Sequence, residues 1–345
     1  MQARIEPAVL TLAAPLRTAF GQVHERVILQ LRVEDPHGHV GWGEAAPLEP
    51  YDGVTLERCR RALEAYLPVL EAPPRPGASA GAAILDACRA ADPLPQALAA
   101  VDLALWDLAG RREGRPVAAL LADELLTAIP VNRTIGAEDR ATAAALASRA
   151  AAQGFRCVKL KVGIGDDAGR VAAVRAAAGP ELALRLDANG AWDVEEAVRA
   201  IDALAPAGLE LVEEPVHGID ALRQVRRRVA TRIAMDETTS EPGAIASGAT
   251  DAVCLKVSRA GGISGLLAQA ALVRATGAEA YLASTFDGPV GIAAALHCAA
   301  ALRVELPCGL ATLGMFAGLD AGALAPRDGA IALPTGPGLG VSPLT

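Results

Sequence analysis

Hydrophobic and polar positions along the chain fall into two regimes that meet near residue 120. From about residue 128 onward, short apolar runs alternate with longer alanine-rich stretches. The runs TAIPVNRTI, FRCVKLKV, LALRLDA, LELVEEP, RIAMDE, AVCLKV, EAYLAST and VELPCGL have the length of buried strands. Stretches between them, such as RATAAALASRAAAQG and VEEAVRAIDALAPAG, read as helices, and many of the runs follow a glycine-containing turn, as helix ends prefer. Eight such units predict an all-parallel sheet, because each parallel crossover needs a helix, and eight units close a β/α barrel. The earlier regime is mixed. It has an opening strand near 3–12, then ERVILQLRV and VGWGEAAP joined by EDPHGH, a hairpin whose turn holds Pro36 and Gly38. Two helices follow, near 54–70 and 95–113, linked by the Pro/Gly-rich segment EAPPRPGASAG, so the first part reads as an α+β unit.

Charged residues interrupt the apolar runs at their ends. Asp187 closes LALRLD, Glu213 stands in LELVEEP and Asp236 in RIAMDE; a lysine pair, Lys159 and Lys161, precedes them in CVKLKV, and Lys256 follows in AVCLKV. Charges at buried positions are costly unless they pair or bind metal. In a barrel these residues meet at the carboxyl ends of the strands, where catalytic groups sit. A doubly wound open sheet is the competing arrangement, but no glycine-rich phosphate loop follows an early strand, and a barrel is what brings acids on successive strands together. Three carboxylates make an oxygen-rich site suited to Mg²⁺ or Mn²⁺, with no His or Cys to favour zinc, and magnesium is the default. Lys161 and Lys256 flank that site from opposite sides. A lysine beside a divalent cation has a lowered pKa and can act as a base near neutral pH. Two such bases facing a metal-bound carboxylate suit removal of the proton on the neighbouring carbon.

Composition narrows the class further. With 345 residues, 52 % hydrophobic and a net charge of −8, the chain can bury a large core and argues against binding nucleic acid or an anionic membrane. RQVRRRV at 223–229 reads as a solvated helix face. No run reaches the ~18 apolar residues of a membrane helix, and the amino end has no signal-like pattern. The six cysteines, Cys59, Cys88, Cys157, Cys254, Cys298 and Cys308, are dispersed within apolar runs and read as small buried hydrophobes in a reducing compartment. A cytoplasmic location is expected.

Five motifs in order, K-x-K at 159–161, D-A-N at 187–189, V-E-E-P at 212–215, M-D-E at 235–237 and L-K-V-S-R-A-G-G at 255–262, resemble the enolase superfamily, in particular its muconate-lactonizing subgroup. GWGEAAPLEPYDG at 41–53 resembles the capping domain of that group. The resemblance implies a modified TIM-type (β/α) barrel at 126–316 and an α+β capping domain at 1–125, with 317–345 packing back onto the cap. It implies Asp187, Glu213 and Asp236 as metal ligands, with Asn189, Glu214 and Glu237 orienting them. Lys161 is implied as a base and Lys256 as its counterpart, with Lys159 lowering the pKa of Lys161 by repulsion. Sites of this superfamily pair a lysine or histidine base with one or two Mg²⁺ ions that stabilise an ene-diolate.

The stretch STFDGPVGIAAAL at 284–296 and PCGLATLGMF at 307–316 resemble o-succinylbenzoate synthases. Dipeptide epimerases of the subgroup usually carry Asp-x-Asp at the eighth strand to hold a substrate ammonium, and LPCGLATLG has none. N-succinylamino acid racemases or dipeptide epimerases, and muconate cycloisomerases, are the enzymatic alternatives; a catalytically inactive binding module is the non-enzymatic one. Segments 15–23 and 48–53 are expected to close over the mouth. Arg17, Tyr51, Ser284, Thr285, Asp287, Gly309 and Leu310 are the expected substrate contacts. The expected partner is a small-molecule carboxylate, with homo-oligomerisation left open.

Overall fold

The structure, a computed structural model, describes residues 1–18, 21–72 and 80–344; the side chains of 16–18, 21–23 and 80 lie outside the described residues. The chain opens on an antiparallel meander of β1 (Gln2–Thr18), β2 (Gly21–Glu34) and β3 (Val40–Ala45), with a register shift in β1 between Thr11 and Leu16. The helices α1 (Glu49–Asp52), α2 (Leu56–Glu71), α3 (Ala80–Ala91), α4 (Pro95–Glu113) and α5 (Val117–Leu121) follow. Alternation along β2 turns Leu29, Leu31 and Val33 to one face, where they pack with Cys59, Leu63, Tyr66, Leu70, Val101 and Leu108 of the helices. Gly41 and Gly43 let α4 lie directly on β3, for a Cβ at Gly43 would stand 1.8 Å from the carbonyl oxygen of Ala100. Helix α3 departs from the sequence reading, which places only two helices here. Its alanine-rich turns, AGAAILDACRAA, carry few large apolar side chains to mark a periodic stripe.

A short β4 (Ala128–Pro130) leads into the barrel: β5 (Arg133–Ile135), α6 (Arg140–Ala152), β6 (Cys157–Lys161), α7 (Asp167–Ala178), β7 (Ala183–Asp187), α8 (Val194–Leu204), β8 (Leu209–Glu213), α9 (Ile219–Arg226), β9 (Ile233–Met235), β10 (Ala252–Leu255), α10 (Val257–Ala260), α11 (Ile263–Ala275), β11 (Glu279–Leu282) and α12 (Pro289–Leu302). Strands β5 to β11 pair in parallel, in sequence order. The ring closes through Cys308 and Gly309, which bridge in parallel to Val131 and Ala283; Gly309 N donates to Leu282 O at 2.7 Å and Asn132 N to Cys308 O at 3.0 Å. The eighth stave is thus far shorter than VELPCGL suggests. One crossover also differs from the pattern, since β9 and β10 are joined by the 3₁₀ turns Glu237–Ser240 and Ala244–Ala246 rather than an α-helix.

After the eighth stave the chain returns to the cap. Leu12 of β1 bridges Phe316, and Ala317 N donates to Thr11 O at 2.8 Å. The last strand, β12 (Ala330–Ala332), pairs antiparallel with β4. Beyond it Leu339 N donates to Asp107 Oδ1 of α4 at 2.7 Å, and Leu344 and Gln30 exchange hydrogen bonds of 2.7 and 2.9 Å. Among the described residues no helix is long and apolar enough to cross a membrane.

Candidate active site

Strand register builds the site. Lys161, Asp187 and Glu213 are lateral partners across β6, β7 and β8, so their side chains share one level at the carboxyl ends of the strands. Lys159, two residues earlier, points the same way one level down. Its ammonium, in a residue only 8 % exposed, lies 2.9 Å from Asp187 Oδ2 and 3.0 Å from Glu213 Oε1. Lys161 Nζ donates to that same Asp187 oxygen at 2.6 Å and to Asn189 Oδ1 at 2.7 Å. Asn189 in turn donates from Nδ2 to Glu237 Oε1 at 2.7 Å. Across the ring Lys256 donates to Asp236 Oδ1 and, at 2.8 Å, to the Tyr51 hydroxyl. Tyr51 itself donates to Asp236 Oδ1 at 2.7 Å.

Burial and charge work against each other here. Burial disfavours the Lys159 ammonium, yet Asp187 and Glu213 outweigh it and hold its pKa above the ordinary lysine value. Lys256 is likewise raised, with burial opposed by Asp236. Burial pushes the Asp187 carboxyl up, but Lys159 and Lys161 bring it well below the usual range. Glu237 is pushed up to about 8 by burial, then by Asp236 and Asp187. Lys159 is therefore the ion-pair partner of two carboxylates, a geometry that goes beyond the repulsive role expected from sequence.

The acids Asp187, Glu213 and Asp236 are no more than 3 % exposed, and hard oxygen donors on three successive strands fit a divalent cation such as Mg²⁺. Oxygens of Glu213 and Asp236 and the sulfur of Cys254 can lie within 4.8 Å of one another. Burial raises the Cys254 thiol well above its ordinary value, so it stays a neutral, soft group beside the carboxylates. Glu214 acts on the backbone: its carboxylate accepts from Asp236 N at 2.7 Å, Thr238 N at 2.9 Å and the Thr238 hydroxyl, fixing the turn that presents Asp236. Asn189 and Glu214 adopt left-handed backbone angles, φ 47° and 41°, at these strand ends.

The cavity above the carboxylates is walled by Lys159, Lys161, Asp187, Asn189, Asp236 and Lys256 at its floor, and by Leu48, Pro50 and Tyr51 of the cap. Ser284, Thr285 and Gly309 also line it, as does Phe286. Leu310 and Asp287 do not. Leu310 is fully buried in the barrel core. Asp287 turns away to accept from the Thr285 hydroxyl at 2.8 Å, buried near Arg26 and Glu44 of the cap. The Arg17 side chain lies outside the described residues, as do the other side chains of 16–23 in the expected closing segment 15–23.

Sequence reasoning passes over Tyr281, whose hydroxyl donates to Glu213 Oε2 at 2.7 Å. It also passes over Arg259, Thr134 and Thr312. Tyr281 stands two residues before Ala283, which lines the cavity, and so shares its face of the strand, but an uncharged residue there carries no signal in the sequence that sets it apart from core packing.

A capped barrel with buried carboxylates between two lysines defines a class, and comparison with known proteins agrees. Residues 141–344 match the enolase C-terminal domain-like family, and residues 1–122 match the mandelate racemase / muconate lactonizing enzyme N-terminal domain. The chain belongs to the mandelate racemase / muconate lactonizing enzyme family of the enolase superfamily and is an enzyme of that family. It is 33 % identical to L-Ala-D/L-Glu epimerase of Bacillus subtilis (strain 168) over 87 % of this chain and 85 % of that protein. It is 41 % identical to o-succinylbenzoate synthase of Thermobifida fusca, over 54 % of this chain and 60 % of that protein. The dipeptide epimerase of Enterococcus faecalis V583, solved with Mg and the dipeptide L-Leu-L-Tyr, superposes with a TM-score of 0.92 at 28 % identity, covering 99 % of each chain.

Proposed function

We propose that this enzyme uses Mg²⁺ and removes water from 2-succinyl-6-hydroxy-2,4-cyclohexadiene-1-carboxylate, giving o-succinylbenzoate. The observation that carries this reading is the charge of the cavity wall. Its only acids among the described residues are Asp187 and Asp236, both at the cation site, and the eighth stave contributes Gly309 and, just beyond, Thr312. No further carboxylate there can receive the ammonium of a dipeptide, despite the overall likeness to dipeptide epimerases.

Asp187, Glu213 and Asp236 would hold the cation, which supplies positive charge to the substrate carboxylate as the neighbouring carbon loses its proton. Lys161 takes that proton. The C–O bond to the ring hydroxyl then breaks, the leaving oxygen departs as water with the proton from Lys161, and the ring becomes aromatic. Asn189 fixes the Lys161 amine through its 2.7 Å contact. Lys256 stays cationic over the ring, and Leu48, Pro50 and Tyr51 exclude water from above.

A second reading, racemisation of an N-succinylamino acid, is favoured by one observation: Lys161 and Lys256 both line the cavity, on β6 and after β10, so either face of an α-carbon has a base. Arginine keeps the charge of Lys256 but is not a usable base. K256R is therefore expected to keep measurable dehydration, whereas K161R loses it. Rapid racemisation of N-succinylamino acids by the wild type, with negligible dehydration of the cyclohexadiene, would replace the synthase reading with the racemase.

A further inference from the structure

Alternation along β2 gives that strand a second buried face. Arg26, Ile28 and Gln30 turn away from the side of Leu29, Leu31 and Val33 and toward the barrel, where Ile28 joins the barrel core and Gln30 meets Leu344 of the tail. Arg26 is only 5 % exposed, and among the described residues its hydrogen bonds all go to main-chain oxygens. Nη1 donates to Pro47 O at 2.7 Å, and Nη2 donates to Ala46 O and to Thr285 O, each at 3.1 Å. Two of these carbonyls belong to the cap and one to the barrel. Ala46 and Pro47 stand directly before Leu48, Pro50 and Tyr51, which roof the substrate cavity; Thr285 follows β11 and lines the wall beside Ser284 and Phe286. One guanidinium thus joins roof to wall, and it does not itself line the cavity.

The far end of the roof is tied within the cap alone. Asp52 accepts from Leu48 N at 3.2 Å, Val54 N at 2.9 Å and Gln96 Nε2 at 3.0 Å, which closes the α1 turn on itself and hangs it from α4. Those bonds fix the shape of the turn but not its height above the barrel. The Thr285 hydroxyl lies 3.4 Å from Ala46 O, yet its one proton is claimed by Asp287 Oδ1 at 2.8 Å, so Arg26 is the firm link across the seam. Burial disfavours the guanidinium charge, and Asp287, Asp52 and Glu44 around it offset that cost. A planar fork can serve three carbonyls at once. A lysine ammonium at the end of a flexible stem cannot reproduce that geometry.

We propose that Arg26 is a positioning residue that sets the clearance between the roof of the cap and the barrel wall, and so tunes affinity for the carboxylate substrate without touching it; this rests on the reading of that cavity as the substrate site. Hydrogen exchange of the purified full chain, followed by peptide mass spectrometry, tests the roof without any substrate. Tyr51 N and Asp52 N donate to Leu48 O at 2.8 and 2.9 Å, so amides of the turn report its opening. Loss of a hydrogen bond to a charged group is expected to speed exchange at 48–53 about tenfold in R26K, with β6 and β7 at the wild-type rate. R26M strands all three carbonyls and gives a larger rise; where it does not fold, R26K alone decides. Steady-state kinetics use whichever of the cyclohexadiene or an N-succinylamino acid the wild type turns over. In R26K, KM is expected to rise about tenfold while kcat stays near the wild-type value, because the lysines and acids of the site stand on strands that Arg26 does not touch. A merely structural role would speed exchange throughout and leave KM unmoved. Wild-type exchange at 48–53 in R26K, an equal rise in β6 and β7, or an unchanged KM overturns the proposal. Failure of the wild type to turn over either substrate overturns the proposed function instead, and the exchange result still decides whether Arg26 holds the roof.

Discussion

At the scale of single residues, charge in an apolar run is the most legible signal in this chain. Lys159, Lys161, Asp187, Glu213, Asp236 and Lys256 stand out because each interrupts a strand that otherwise reads as core, and the structure brings all six to one end of the barrel. Asp287 carries the same signal and lies elsewhere, because a turn after β11 swings it beneath Thr285 toward Arg26, a partner from β2 that no local pattern announces. Tyr281 shows the converse. An uncharged residue in a strand looks like packing, yet this one holds Glu213 by a buried hydrogen bond and lies over the Arg185 guanidinium, 5.0 Å from its ring centroid. Partners of this kind orient ligands, and losing one costs about tenfold or more in metal affinity. Tyr281→Phe is therefore expected to weaken Mg²⁺ binding by about that factor in calorimetric titration, with little change in fold. Wild-type affinity in the variant would show that Glu213 needs no such support.

At the scale of elements, periodicity locates the parallel strands because each is a short apolar run between helices, and it fails where structure is set by closure instead. The eighth stave is held by bridges from Cys308 and Gly309 to strands far away in sequence, so its length is a tertiary property. The 3₁₀ turns after β9 replace a helix because Glu214 captures the backbone of Asp236 and Thr238 and bends the chain at once. The seat of the cap is written in two glycines. Between Gly41 and Gly43, Trp42 N donates to Asp107 Oδ2 of α4 at 2.8 Å, and either glycine with a Cβ would collide with the backbone of α4. Backbone cannot yield as a flexible side chain can. Gly43→Ala is expected to destabilise the protein by about 3 kcal/mol, the upper end for overpacking. Urea unfolding checks this as a lowered midpoint at unchanged slope; an unchanged midpoint would mean that α4 can move off β3.

At the scale of the whole molecule, barrel, cap and returning tail meet at a buried histidine that takes no part in the site. His297 on α12 is fully buried; its Nδ1 accepts from Ala118 N of α5 at 3.1 Å, and its Nε2 donates to Leu339 O of the tail at 3.1 Å. That pairing requires the neutral ring. Burial lowers its pKa from 6.5 to about 4, the Leu339 carbonyl opposing only in part. The unfolded chain therefore binds a proton below pH 6.5 that the folded chain refuses until about pH 4. Stability from this residue is complete above pH 6.5 and is lost as pH falls toward 4, at about 1.4 kcal/mol for each pH unit and on the order of 3 kcal/mol in all. Carboxylates titrate in the same range, so the comparison must be with a variant that keeps the hydrogen bonds and lacks the titration. His297→Gln offers one amide oxygen and one amide nitrogen to the same two partners. Denaturant unfolding of both proteins from pH 7 to pH 4 is expected to show a steeper loss in the wild type, the difference opening below about pH 6.5. Parallel curves would mean that His297 becomes protonated inside the fold, and that the contact joining α5, α12 and the tail opens with acid before the rest of the molecule does.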